Sequence, residues 1–230
     1  MGQHGYIYGL DIETDTTHGG LDPAVSSVVT IALCGPAFDE VLIGEEPAML
    51  RALDERLADL PPGVLATWNG GSFDLPFLAD RARLLGVDLG LHLCLDRRLT
   101  LGRTPLPGHA GAYRGSWHQH GHLDTFRLYG NTSGPSHWIS LRTIGRLVGL
   151  GPQAGATRRA HDLTNEALHA HAPSDARLAR VLAERRWSAA TRLVDRIEAD
   201  EVESVSRVDA RIERMHRAEA RPVGTAIASA

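Results

Sequence analysis

An α/β layer fold is predicted by three observations. Residues 5–11 (Gly-Tyr-Ile-Tyr-Gly-Leu-Asp) form an apolar run that ends in an acid, the pattern of a buried strand. Leu50, Leu53, Leu57 and Leu60 recur at spacings of three and four, as on one face of an amphipathic helix. Val64–Trp68 is a second short apolar run just beyond it. A strand, a helix and another strand in that order describe helices laid on a sheet.

The remaining elements follow in chain order. Residues 15–24, rich in Thr, Gly, Asp and Pro, read as a loop, and the β-branched run Val25–Cys34 as a strand. Gly35-Pro36 makes a turn into Phe38–Ile43, a hairpin partner. The leucine helix spans Glu46–Leu60 and stops at Pro61-Pro62-Gly63. After the Val64–Trp68 strand, Asn69-Gly70-Gly71-Ser72 forms a turn, and Phe73–Leu85 is a helix ended by Gly86. Residues 96–120, rich in Arg, Gly, Pro and His, read as irregular. His120–Thr125 is a short strand, Ser140–Val148 a helix with Ser140 as its N-cap, and Gly149–Thr157 a flexible connection. Asp162–His169 reads as a short helix and Ser174–Arg196 as a long one. Val205, Val208, Ile212 and Met215 keep helical spacing, which predicts an extra C-terminal helix that packs back on the core or pairs with a second copy. The expected division is a domain over 1–197, a helical extension over 198–220 and a disordered tail over 221–230.

Composition narrows the function classes. The 230 residues, 43% hydrophobic and 23% charged, are enough to bury a core without cross-links. Cys34 and Cys94 are the only cysteines and form no CxxC pair, which argues against a disulfide framework or a thiolate zinc site and for a reducing, cytoplasmic setting. No apolar run approaches membrane-spanning length, and residues 1–5 carry no basic-then-apolar leader, so neither membrane nor secretion is expected. A net charge of −4 and a pI near 6.3 argue against a protein that coats nucleic acid through bulk positive charge. They leave room for an acidic site that works through bound cations. All 24 basic residues are arginine, which excludes Schiff-base lysine chemistry and a P-loop lysine.

Three local patterns carry chemistry. Asp11-Ile12-Glu13-Thr14 places Asp11 and Glu13 on one face at the end of a buried strand. Two carboxylates so placed repel each other, and their charge is costly to bury without a cation; hard oxygen ligands favour Mg²⁺ or Mn²⁺. In Trp68-Asn69-Gly70-Gly71-Ser72-Phe73-Asp74-Leu75-Pro76, a strand feeds a Gly-rich turn, an aromatic, and an acid that opens a helix. The glycines permit close backbone approach, and Phe73 is placed to stack on a base. His169-Ala170-His171-Ala172-Pro173-Ser174-Asp175 places Asp175 in the first turn of the long helix, with two histidines just before it. Each pattern alone also fits a structural role: a solvated strand end, a helix-start acid, a surface histidine.

Together the patterns say more. A D-x-E on the first strand, an N-x-x-x-F-D turn about 60 residues on, and an acid about 100 residues further resemble the DEDD superfamily of 3′–5′ exonucleases, built on the ribonuclease-H-like fold. The likeness is greatest to the exonuclease domain of family-B DNA polymerases. Trp68-Asn69 with Phe73-Asp74-Leu75 is similar to its second motif. Gly121-His122-Leu123-Asp124 before Phe126-Arg127-Leu128 is similar to its next strand. Ile139-Ser140-Leu141-Arg142-Thr143-Ile144 is similar to its Ser-Leu helix, and the resemblance spans residues 5–196.

The resemblance implies an α/β ribonuclease-H-like mixed sheet flanked by helices, with the extra C-terminal helix beyond it. It implies that Asp11, Glu13, Asp74 and Asp175 hold two divalent cations, Mg²⁺ or Mn²⁺, which activate water against the terminal phosphodiester and stabilise the leaving 3′ oxygen. The product would be a nucleoside 5′-monophosphate. Asn69 and Phe73 match positions that hold the terminal nucleotides, and Thr14 would sit beside the 3′ end. One departure stands out: the family's third motif is Tyr-x-x-x-Asp, whereas here it is His171-x-x-x-Asp175. Imidazole is a better base than phenol near neutral pH, so His171 is the candidate that orients or deprotonates the water, with His169 as the alternative.

The expected partner is the 3′ end of single-stranded DNA, with RNA equally compatible with motifs that read no 2′-hydroxyl. A nuclease-like binding module that has lost catalysis is the alternative from another class. His118, His120 and His122 would share one side if extended, which suits Zn²⁺ or Ni²⁺ with Asp124 or His109 completing the set; a solvated or substrate-facing loop is the other reading. Arg97, Arg98, Arg103 and Arg114 likewise read either as phosphate contacts or as a solvated loop.

Overall fold

Alternation along the first strand divides the molecule. The computed structural model describes residues 6–17, 21–99, 104–129, 140–150, 173–195 and 197. Strand β1 (Tyr6–Thr14) sends Tyr8, Leu10 and Ile12 to one face of the sheet and Ile7, Gly9, Asp11 and Glu13 to the other. On the first face lie α1 (Glu46–Asp59), which buries Met49, Leu50, Leu53 and Leu57, and α2 (Asp74–Leu84), which buries Leu75, Phe77 and Leu78. The second face carries the helix that holds Asp175.

The sheet has seven strands: β1, β2 (Val28–Cys34), β3 (Asp39–Ile43), β4 (Gly63–Thr67), β5 (Leu91–Leu95), β6 (Tyr113–Trp117) and β7 (His120–Asp124), in the order β3-β2-β1-β4-β7-β6-β5. The β1–β4 and β4–β7 pairs are parallel and the others antiparallel, so the sheet is mixed. The parallel β1–β4 pair is reached through α1, the crossover that a strand–helix–strand order requires. The ends of β1, β4 and β7 therefore point the same way. Four more helices complete the described chain: α3 (Phe126–Tyr129), α4 (Leu141–Leu147), α5 (Pro173–Arg185) and α6 (Trp187–Ala190). Among the described residues no helix is long and apolar enough to cross a membrane. Cys34 and Cys94 are both free thiols.

Four expectations need correction. The predicted strand over 25–34 starts only at Val28, because the Asp22 carbonyl and carboxylate take the amides of residues 24 to 26 into a turn. The segment read as irregular over 96–120 contains β6, whose polar Arg114 and Ser116 alternate with buried Tyr113, Gly115 and Trp117. Its partner β5 lies where the sequence predicts no element. The long helix expected over 174–196 breaks at Arg186. There the guanidinium donates to the Leu128 carbonyl at 2.7 Å and lies over the Tyr129 ring, and Asp195 turns back to the sheet. The Asp162–His169 helix, most of the Gly149–Thr157 connection, the 198–220 extension and the 221–230 tail lie outside the described residues. Ser140 caps α4 as expected, accepting from the Thr143 amide at 3.2 Å.

Candidate active site

The register of β1 opens the site. Pairing with β4 ends at Gly9↔Ala66, while pairing with β2 runs on to Thr14. The edge of β1 beyond Gly9 is thus uncovered on the β4 side, and Asp74 fills it: the Ile12 amide donates to Asp74 Oδ1 at 3.3 Å. This puts the acid that opens α2 beside Asp11. A register shift between Glu13 and Thr14 then bends the end of the strand.

Asp175 arrives from the other face. Helix α5 crosses β1 at Gly9, where an added Cβ would lie 1.9 Å from the Ala176 carbonyl oxygen. Only glycine permits that approach, and it carries Asp175, one residue before Ala176, to the same end of the strand as Asp11 and Glu13. The four carboxylates act on one another. Burial first, and then the charges of Asp74, Asp175 and Glu13, push the Asp11 carboxyl well above the usual range. Burial and the Asp175 charge raise Glu13, and burial raises Asp74 to about 7. Arg142 of α4 opposes this. Its Nε and Nη2 reach the two Asp175 oxygens at 3.3 Å each, and its charge also lowers the carboxyls of Asp11 and Glu13.

The turn between β4 and α2 is held from below. Asn69 stands in the left-handed region (φ 66°), and its amide donates to Asp124 Oδ1 at 2.7 Å. The Phe126 amide donates to the same oxygen at 3.0 Å, and the Gly71 amide also reaches Asp124. Asn69 Oδ1 accepts from Ser72 at 2.9 Å, so its side chain braces the turn. Phe73 is half-buried and packs on Phe77, the ring centroids 5.5 Å apart. Trp68 meets Phe126 edge-on and joins Leu141, Ile144, Leu178 and Leu182 in the cluster that seats α4 on α5.

Residues 36–143 match the family model for the exonuclease domain of family B DNA polymerases. This stretch is similar to a family-B exonuclease domain. The matched span holds Asn69, Phe73, Asp74 and Asp124 and leaves Asp11, Glu13 and Asp175 outside. The chain is 32% identical over 75 residues to the DNA polymerase delta catalytic subunit of Arabidopsis thaliana, a stretch covering 32% of this chain and 7% of that protein. Its fold superposes on the family B DNA polymerase of the archaeon Pyrobaculum calidifontis with a TM-score of 0.60 and 21% identity, over 79% of this chain and 24% of that one. The chain thus has the ribonuclease-H-like α/β fold, and it spans a minor part of either polymerase.

The structure brings Asp11, Glu13, Asp74 and Asp175 to one edge of the sheet; Thr14 follows Glu13 at the end of β1, and Asn69 and Phe73 belong to the turn that precedes Asp74. His171 and His169 lie outside the described residues. The histidine cluster does not converge. A turn separates His118 from His120; His118 pairs with Asp54 at 3.0 Å, His120 with the Leu57 carbonyl at 2.7 Å, and His122 with Thr67 at 2.8 Å. His109 is taken by Asp80 and Tyr113. Arg114 packs on Cys94, Arg97 and Arg98 are exposed beyond β5, and Arg103 is outside the described residues.

Among the described residues no group of three or more His, Cys, Asp or Glu side chains is placed closely enough to hold a metal ion as they stand. The chemistry of the donor set fits a hard divalent cation: every donor at the acidic edge is a carboxylate oxygen, and burial makes the charges of Asp11, Glu13 and Asp74 costly without a counter-ion. Two residues of this site are not placed in it by the sequence reading, which gives Asp124 only a possible part in the histidine cluster and Arg142 only a place in the Ser-Leu helix. Asp124 carried the same signal as Asp11, an acid at the end of an apolar strand. Arg142 carried none, because nothing local distinguishes a helix arginine that turns inward.

Proposed function

We propose that this chain is a metal-dependent 3′–5′ exonuclease that trims single-stranded DNA to nucleoside 5′-monophosphates. The observation that carries the reading is the meeting of four carboxylates from β1, α2 and α5 at one sheet edge, where burial opposes the charge of Asp11, Glu13 and Asp74. The family match over 36–143 supports it. Asp11, Glu13, Asp74 and Asp175 would hold two divalent cations, Mg²⁺ or Mn²⁺. Bound there, the cations supply Lewis acidity toward the phosphodiester and a lowered pKa for the attacking water.

The chain's own residues do the rest. The Ile12 amide and the Asp124-braced turn fix where the Asp74 carboxylate points. Phe73, at the mouth of the turn, offers an aromatic face to a terminal base, and Asn69 and Thr14 border the 3′ end. His171, four residues before Asp175, is the proposed base that orients the water, and His169 is the alternative. The domain is taken as 1–197, with the 198–220 segment an extension available for self-association.

The test is a denaturing gel of 5′-labelled single-stranded DNA with Mn²⁺, beside the matched RNA and an Asp11→Asn control. A ladder shortening from the 3′ end, absent in the variant, supports the reading, and the better substrate decides between DNA and RNA. Intact oligonucleotide with a retained gel shift favours a 3′-end-binding module instead.

A further inference from the structure

Arg142 stands where a cation is needed. Its guanidinium pairs side-on with Asp175, two contacts at 3.3 Å, and its charge also acts on Asp11 and Glu13. Three of the four carboxylates thus draw on one arginine. A divalent cation held by the same oxygens would do the same electrostatic work, so the two cations compete for Asp175. The arginine is placed to yield. Its side chain is 36% exposed, so water takes up the guanidinium when it swings out. Its backbone is fixed independently of the ion pair, through Leu141, Ile144 and Gly145 packed on Leu178 and Leu182 of α5.

We propose that Arg142 is a built-in counter-ion of the acidic site, pairing with Asp175 when no divalent cation is bound and surrendering it when one binds. Arg142 stabilises the metal-free fold and weakens metal affinity, so the domain loads its cations only above a threshold concentration. The proposal rests on the reading of the four carboxylates as a cation cage.

The experiment is calorimetric titration of the full chain with Mn²⁺ alone, without nucleic acid, together with melting in EDTA. Wild type is compared with Arg142→Gln, Arg142→Lys and Asp11→Asn. Arg142→Gln is expected to bind Mn²⁺ about tenfold more tightly, comparable to the effect one neighbouring charge has on a carboxyl. It is expected to melt lower in EDTA and at least as high as wild type with saturating Mn²⁺. Arg142→Lys keeps the charge and should keep the weaker affinity, which separates competition from a general disturbance of α4. Unchanged or weaker Mn²⁺ binding by Arg142→Gln, with binding by wild type lost in Asp11→Asn, overturns the proposal and leaves the cage standing. No Mn²⁺ binding by wild type overturns both.

Discussion

Gly9 and Ala176 meet backbone to backbone: a methyl group on Gly9 would sit 1.9 Å from the Ala176 carbonyl oxygen. Asp11 lies two residues past the first and Asp175 one before the second, so this single contact sets how closely the acids of β1 and α5 approach. The seam extends through the buried Ala32 and Cys34 of β2, whose Sγ lies 3.5 Å from the Pro173 carbonyl.

Gly9→Ala must therefore push α5 off the sheet. Overpacking of this kind costs about 1–3 kcal/mol. Thermal unfolding is expected to shift down accordingly, and the stabilisation by Mn²⁺ to shrink with the widened acid spacing. A variant that melts like wild type would show that the seam is looser than described.

Asp11→Asn is expected to stabilise the protein in EDTA while removing its response to Mn²⁺. The carboxyl is held well above its usual range by burial and by three neighbouring acids, so its ionised form works against folding at neutral pH. The gain is expected to be on the order of 0.5–2 kcal/mol, the range of single stabilising substitutions. Melting curves with and without Mn²⁺ check both halves.

Stability should depend on pH in a defined sense. Asp11, Glu13 and Asp74 are raised, Asp74 to about 7, so the folded protein holds more protons than the unfolded chain from about pH 4 up to about 7. Metal-free stability therefore falls as pH rises through that window. Cation binding requires the ionised oxygens and releases those protons, so Mn²⁺ recovers more stability at pH 8 than at pH 5. Paired melts in Mn²⁺ and EDTA across this range measure the gap, and a gap that narrows toward pH 8 contradicts the account.

Asp124→Ala removes the acceptor shared by the Asn69, Gly71 and Phe126 amides. Buried donors left without a partner cost about 1–3 kcal/mol. Hydrogen exchange should accelerate at those amides before it does in β1. Asp124→Asn, which keeps a carbonyl oxygen, is expected to recover part of the loss.

Asp195 closes the described chain on the sheet, accepting from His122, from Arg127 at 3.2 Å and from the Gly115 amide at 3.3 Å. Asp195→Ala should loosen the segment after α6 and lower stability by about 1–3 kcal/mol. Faster proteolysis within 187–197 would register it, with Mn²⁺ binding retained.

Much of this was legible beforehand for local reasons. Leucine spacing announced α1, a β-branched apolar run announced β2, and Ser140 announced the cap of α4. β6 escaped because Arg114, Ser116 and Gly115 dilute its alternation, and Gly115 is there so that α2 can pack close, an added Cβ falling 2.6 Å from Leu75. The break at Arg186 escaped because the contact that accompanies it, to the carbonyl of Leu128, lies 58 residues away. The histidines at 118, 120 and 122 looked like one cluster because spacing shows neighbours along the chain and not the turn that parts them.

Chain order alone determined which acids this protein owns and on which elements they ride: a carboxylate's place at a strand end or helix start follows from local periodicity. Tertiary structure decided that they meet. Gly9 lets α5 touch β1, the early end of β1–β4 pairing lets Asp74 in, and packing of α4 on α5 brings Arg142 to Asp175. These are contacts between residues distant in sequence, set by packing and by burial of charge, and no local pattern encodes them.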